Sequence, residues 1–248
     1  MQDHHVPSIG LGYWVTFAVA TIFGANLSDM LTMHLALASP GRIVLLAGLL
    51  FAVLLVERYD RSNTHLWYWA AIVILQAAAS RLADLSTDSL GLRRLELIAS
   101  VAVLLVATFV TARSSASMLV ETLIMSRRGE ARPMSDTAYW ITMFFASFLG
   151  VLGAEVGEHR IGMVPSLAAF AVGFVALLWL SRWPAINRLL LYWLIVLLLR
   201  AFGGVAASYL VTVAFAPAGL GSSTILTATI LAGCILLWSA RSRPRPHA

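Results

Sequence analysis

Long apolar runs alternate with short polar clusters along the whole chain. Measured against the roughly 20 residues an apolar helix needs to cross a bilayer, the runs predict spans near 12–37, 42–57, 66–86 and 94–112. Four more follow near 138–157, 164–181, 188–214 and 223–240. The expected fold class is therefore all-α: a polytopic membrane protein with eight transmembrane helices in a single membrane domain, 1–248. The longest connection, 114–137, divides the spans four and four. Its segment "SMLVETLIM" reads either as a short amphipathic helix on the membrane surface or as an ordered linker.

The apolar runs are also copies of one another. Every odd-numbered span opens on a Tyr-Trp pair: "YWVTFAVATIFGANLSD" from Tyr13, "YWAAIVILQAAASRLAD" from Tyr68, "YWITMFFASFLGVLGAE" from Tyr139 and "YWLIVLLLRAFGGVAAS" from Tyr192. Aligned on that pair without a gap, the twelfth place is small in each copy (Gly24, Ala79, Gly150, Gly203). Four residues on, it is small again (Ser28, Ala83, Ala154, Ala207), and the next place holds Asp29, Asp84, Glu155 and then Ser208. Each even-numbered span ends in Arg: Arg58, Arg113, Arg182 and Arg241. The expected organisation is four helical-hairpin repeats, 12–60, 66–113, 138–183 and 188–241. Because each copy starts on the same side, the repeats are parallel, related by an axis along the membrane normal.

Each place in the unit has a physical reading. Tyr and Trp favour the membrane interface, so the pair is expected to mark the entry of each odd span, with its polar tips in water. The small-x-x-x-small pair puts two tiny side chains on one helix face and lets backbones approach. At about 1.5 Å per residue the acidic place lies roughly 24 Å beyond the aromatic pair.

Composition agrees with a membrane domain: 60% of the 248 residues are hydrophobic, only 12% are charged, and mean hydropathy is +0.84. The net charge of +5 rests on Arg alone, because the chain has no Lys. That excludes a retinal Schiff base and other lysine chemistry. The basic excess flanks apolar spans, where topology signals and anionic headgroups account for it better than nucleic acid does. Arg58, Arg61, Arg113, Arg127, Arg128, Arg132, Arg182, Arg188, Arg241, Arg243 and Arg245 share one side, against Arg42, Arg93, Arg94 and Arg160 on the other. By the positive-inside rule both termini and the linker 114–137 are expected in the cytoplasm. One cysteine, Cys234, allows neither a disulfide framework nor a thiolate metal site. The N-terminus lacks the features of a signal peptide, so the first span is expected to be retained.

Polar residues inside the spans are the candidate chemistry. At the ninth place, one turn before the first small residue, stand Thr21, Gln76, Ser147 and Arg200. An Arg near mid-membrane is costly unless paired, hydrated or able to snorkel. Its expected partners are Asp29, Asp84 and Glu155, either as part of an ion pathway or as an ion pair that only fixes helix register. The outer ends also carry Met30, Met33 and His34, then Asp88, then "EVGEH" with Glu158 and His159 beside Glu155. Carboxylates and imidazoles at that spacing can hold a divalent cation, though helix ends emerging into water acquire the same residues for ordinary reasons. Phosphate-binding loops, dinucleotide fingerprints, zinc-protease and nucleophile-elbow motifs are absent, as are facing histidines for haem. No enzyme is expected, and the cofactor is unknown.

Tyr13, Trp14, Thr21, Gly24, Ser28 and Asp29, with Arg200 and Gly203 in the last unit, resemble the bacterial membrane-anchored protein family built from repeats of unknown function, DUF347. The resemblance covers nearly the whole chain and implies a bacterial inner-membrane location and a fold, with little mechanism. It also implies a Lys near Phe17 and a Glu where this chain has Ala25. With Ser208 in place of the fourth acid, those departures mark a divergent member, with altered or lost activity if the charges serve transport.

Two principal functions fit this inventory. One is a secondary transporter or exporter of a small cation, perhaps a divalent metal, through a pseudo-fourfold bundle. The other is a noncatalytic subunit or scaffold of a larger membrane complex; an axial pore or an intramembrane enzyme fits less well. The expected partners are the lipid bilayer and either further copies of the chain or a larger membrane complex.

Overall fold

A computed structural model of the chain describes residues 7, 9–35, 39–59, 65–89, 91–114, 137–183, 187–216 and 219–241. The stretch 115–136, with the segment expected to be a surface helix or linker, lies outside them. The described residues form eight long helices and no strands. In order these are α1 (Leu11–His34), α2 (Ser39–Tyr59), α3 (Leu66–Asp84), α4 (Arg94–Ser114), α5 (Thr137–Ile161), α6 (Met163–Leu180), α7 (Arg188–Tyr209) and α8 (Gly219–Arg241). Seven of them, all but α4, qualify as membrane spans by length and apolarity among the described residues. That makes the chain a multi-pass membrane protein by length and composition.

Helix ends follow local chemistry. The Asn187 side chain accepts from the Leu189 and Leu190 amides and starts α7. Between α5 and α6 a single residue, Gly162 at φ +89°, reverses the chain in a backbone conformation that favours glycine. Both α3 and α7 end in a π-helical turn, at Leu85–Ser89 and Leu210–Ala214. The wider turn redirects the last residues of each helix.

The odd-numbered helices are inner and the even-numbered ones outer. In α1, α3, α5 and α7 between 44% and 61% of the span is buried, against 6% in α2 and α6. The inner four pack side by side in the cyclic order α1, α3, α5, α7 and back to α1. Each outer helix then packs chiefly on the next inner helix: α2 on α3, α4 on α5, α6 on α7, and α8 on α1. The α8 seam carries polar contacts, with the Asn26 amide donating to Ser223 at 2.8 Å and to Thr227 at 3.4 Å. Outside, α2 and α6 turn Val44, Leu49, Phe51, Val172 and Val175 outward, an apolar surface that only lipid or an apolar partner would cover.

The Tyr-Trp pairs occupy the centre of this assembly. Tyr13 and Tyr68 hydroxyls lie 2.7 Å apart, Tyr68 and Tyr139 2.6 Å, Tyr139 and Tyr192 3.0 Å, and Tyr192 and Tyr13 2.9 Å. The four hydroxyls close a ring in which each can donate once and accept once. Each Trp meets its own Tyr edge to face at 4.9–5.2 Å. The Trp of each unit also lies 5.5–5.6 Å from the Tyr of the preceding inner helix. All eight rings are buried, so the expected interfacial anchors are core residues. For the tyrosines the reason is that the ring of hydroxyls satisfies their polar tips internally and removes their need for water, and each tryptophan packs against two of the tyrosine rings. Because each Tyr stands near the start of its helix, the ring also requires the four inner helices to run parallel.

Small residues seat the inner helices. A Cβ added to Gly24 would stand 2.6 Å from the Val73 carbonyl and 2.7 Å from Gln76 Cβ, and one on Gly150 would stand 2.5 Å from Arg200 Cβ. A Cβ on Gly203 would collide with Thr21. Three of the twelfth-place residues thus receive the ninth-place residue of the next inner helix. Gly153, one turn beyond Gly150, faces open space. Gly150→Ala is therefore expected to lower the unfolding free energy by about 1–3 kcal/mol through overpacking. Gly153→Ala is expected to raise it by about 0.5–1 kcal/mol through helix propensity. Thermal unfolding of the two variants in detergent checks the pair, and equal effects would contradict the seating.

Candidate functional site

Arg200 is the most deeply placed charge. It enters from α7 at 0% exposure, with Thr21, Gln76 and Ser147 at the same register and equally buried. Helical side chains lean toward the N-terminus, and the guanidinium accordingly reaches the α3 carbonyl of Ile72, to which Nη1 donates at 3.0 Å. The same nitrogen donates to Gln76 Oε1 at 3.1 Å, and the Phe17 ring covers the guanidinium with its centroid 4.9 Å away. Among the described residues, Nε and Nη2 of Arg200 and Nε2 of Gln76 have no hydrogen-bond partner. The hydroxyls at this level turn to backbone instead: Thr21 to Ala18 at 2.7 Å and to Leu199 at 3.3 Å, and Ser147 to Met143 at 2.6 Å.

The expected pairing of Arg200 with the outer acids is not what the structure has. Among the described residues Arg200 makes no ion pair. Asp29 and Asp84 are brought together at the far end of α1 and α3 by Arg81, whose Nη2 lies 2.9 Å from one and 2.7 Å from the other. The rest of that guanidinium ties to α1 through Ser28 at 2.6 Å and Thr32 at 2.5 Å. Glu155 is apart from them and pairs with Arg94 at 2.9 Å. The fourth place, Ser208, lies near Glu158. The physical reason is reach: the acids end their helices while Arg200 turns back toward the tyrosines, so nearer cations take the carboxylates.

The candidate metal ligands are not gathered. Among the described residues no three of His, Cys, Asp and Glu converge, and His34 and His159 are exposed. His159 instead borders a groove of about 440 Å³ with Arg93, Arg94, Glu96 and Arg160, at the junction of α4 and α5. Of the expected packing residues, Gly24, Gly150 and Gly203 receive neighbouring helices, and Ser28, Ala79, Ala83, Ala154 and Ala207 are buried. Arg81 and Phe17 were missed by the sequence reading. For Arg81 a signal existed: it stands one turn before Asp84, on a face that the repeat places beside Asp29.

A family model described as Repeat of Unknown Function, DUF347, matches residues 12–61, the stretch from the first Tyr-Trp pair to the end of α2. The chain carries a DUF347 repeat, consistent with membership of that family. No curated protein and no solved structure matches it. Of the residues above, Phe17, Thr21, Gly24, Ser28 and Asp29 fall inside the DUF347 match, while Gln76, Arg81 and Arg200 fall outside it.

The two charge clusters should respond differently to truncation. Arg81, with its side chain 14% exposed, holds four groups, and Arg81→Ala is expected to destabilise the fold by about 1–3 kcal/mol by removing its ties to Ser28, Thr32, Asp29 and Asp84. Arg94 is 44% exposed, so Arg94→Ala is expected to change stability by less than about 1 kcal/mol. Chemical unfolding of both variants in the same detergent checks the order.

Proposed function

We propose that the protein is a membrane carrier for a small ion, built as four helical-hairpin repeats around one axis, with the second helix of each hairpin docked on the next. The observation that supports it is Arg200: a fully buried guanidinium with Nε and Nη2 unpartnered, on the axis of the inner bundle. A buried charge of this kind is costly and marks ion pathways by default. In a scaffold it would serve only to tie α7 to α3 through Ile72 and Gln76. The tyrosine ring closes the axis at one end, and Thr21, Gln76, Ser147 and Arg200 have no exposed surface. The arrangement is that of an occluded carrier. Cation carriage by the outer acids has less support, because Arg81 bridges Asp29 and Asp84 and Arg94 pairs with Glu155, so that two arginines offset all but one of the three negative charges.

In this reading the tyrosine end faces the cytoplasm of a bacterial inner membrane, since the arginine-rich connections lie at that end, and both termini lie on the same side. The work is carriage without covalent catalysis. A second reading, a noncatalytic subunit of a larger complex, draws on the sealed axis and on the apolar outer faces of α2 and α6. Flux measurements separate the two. The purified protein in proteoliposomes is expected to carry an ion, and Arg200→Gln is expected to abolish that flux while Arg94→Ala retains it. A folded wild-type protein that carries neither anions nor cations would leave the subunit reading in place.

A further inference from the structure

We propose that Arg200 and Gln76 form the seat of a small monovalent anion of the halide class. The inference rests on the carrier reading for its movement, whereas binding needs only the residues named.

The axis is rich in donors and poor in negative charge. Nη1 spends its hydrogens on Ile72 O and Gln76 Oε1. Nε and Nη2 still carry three N–H bonds, and the Gln76 amide nitrogen carries two more, all on fully buried groups without partners among the described residues. Because Gln76 Oε1 faces the guanidinium, its NH2 group is the one left over. The tool that would normally balance a buried arginine, a carboxylate, is absent from this level: among the described residues the acids of the inner helices are held by Arg81 and Arg94 or lie beside Ser208. The hydroxyls at this level are neutral, and those of Thr21 and Ser147 donate to backbone carbonyls.

These features set the occupant's chemistry. It must be an acceptor with no hydrogens of its own to place, and one negative charge balances one guanidinium. Arg200 has no solvent-accessible surface, so the occupant displaces side chains on entry, and a small anion displaces least. A phosphate or sulfate carries more bulk than a halide. Entry requires the Phe17 ring to swing off the guanidinium, exchanging a cation–π contact for a full counter-charge. The exchange replaces a ring quadrupole by a full counter-charge, and that gain is set against the cost of dehydrating the anion.

The test uses the full-length protein, purified in detergent and prepared without halide. Thermal unfolding is followed while sodium chloride replaces sodium gluconate at constant ionic strength. The expected result is a saturable rise in the unfolding midpoint, and its loss in Arg200→Gln. Because that variant also removes the ties to Ile72 and Gln76, Gln76→Glu provides the second arm by placing a carboxylate against the guanidinium. It is expected to raise the midpoint in gluconate and to remove the response to chloride. A wild-type midpoint identical in the two salts, or a Gln76→Glu protein that responds as wild type does, overturns the proposal. In proteoliposomes, chloride flux lost in Arg200→Gln supports both the seat and its carriage. A saturable chloride shift without any ion flux supports the seat and overturns the carrier. Arg200-dependent sodium or manganese flux in a protein indifferent to chloride does the reverse.

Discussion

A phenolic hydroxyl withdrawn from water without a partner costs a few kcal/mol, and four of them lie together inside this bundle. They resolve the problem among themselves. With O–O distances of 2.6–3.0 Å around a closed cycle, each hydroxyl both donates and accepts, and none needs water. The solution constrains everything around it. Four helices must start at the same level, run the same way and stand at similar distances from one axis. The Trp that follows each Tyr then wedges against the ring of the preceding helix, so the aromatic layer locks the order as well as the register.

From that layer the bundle is built outward in one rotational sense. Gly24, Gly150 and Gly203 each receive the ninth-place side chain of the next inner helix, and each outer helix docks on the inner helix that follows it. The last outer helix, α8, closes the cycle on α1 through Asn26. Glycine seats make the backbones close, and closeness is what excludes water from Arg200. The isolation of the guanidinium is therefore a consequence of the tight packing: the same seats that stabilise the bundle keep water from its unmatched donors.

Much of this was legible in the sequence, and the misses share a cause. The recurring Tyr-Trp pair, the small places and the ninth-place polar residues predicted the inner helices and their packing faces, because those features repeat in register. What one helix at a time does not reveal is which groups meet across the axis. A Tyr that prefers the interface when alone becomes a core residue when three others share its level, so the anchors were placed in water. Arg200 was matched to acids by charge, although a helical side chain leans toward its N-terminus and away from Asp29, Asp84 and Glu155. Arg81 sits in the quoted second copy, yet its reach to Ser28, Thr32 and Asp29 depends on the α1–α3 contact. The π-helical ends of α3 and α7 have no sequence signature that the periodicity exposes.

The central claim is that the Tyr-Trp pairs form a sealed layer around the axis and do not anchor the protein at the membrane surface. Fluorine NMR of fluorotryptophan-labelled protein in nanodiscs containing spin-labelled lipid tests it directly, with each of the eight Trp signals assigned by single Trp→Phe replacement. The account predicts that the signals of Trp14, Trp69, Trp140 and Trp193 resist broadening by both the lipid label and an aqueous paramagnetic ion, while those of Trp179 and Trp183, each 54% exposed, are broadened. Broadening of Trp69 or Trp193 to the same degree as Trp179 would contradict it.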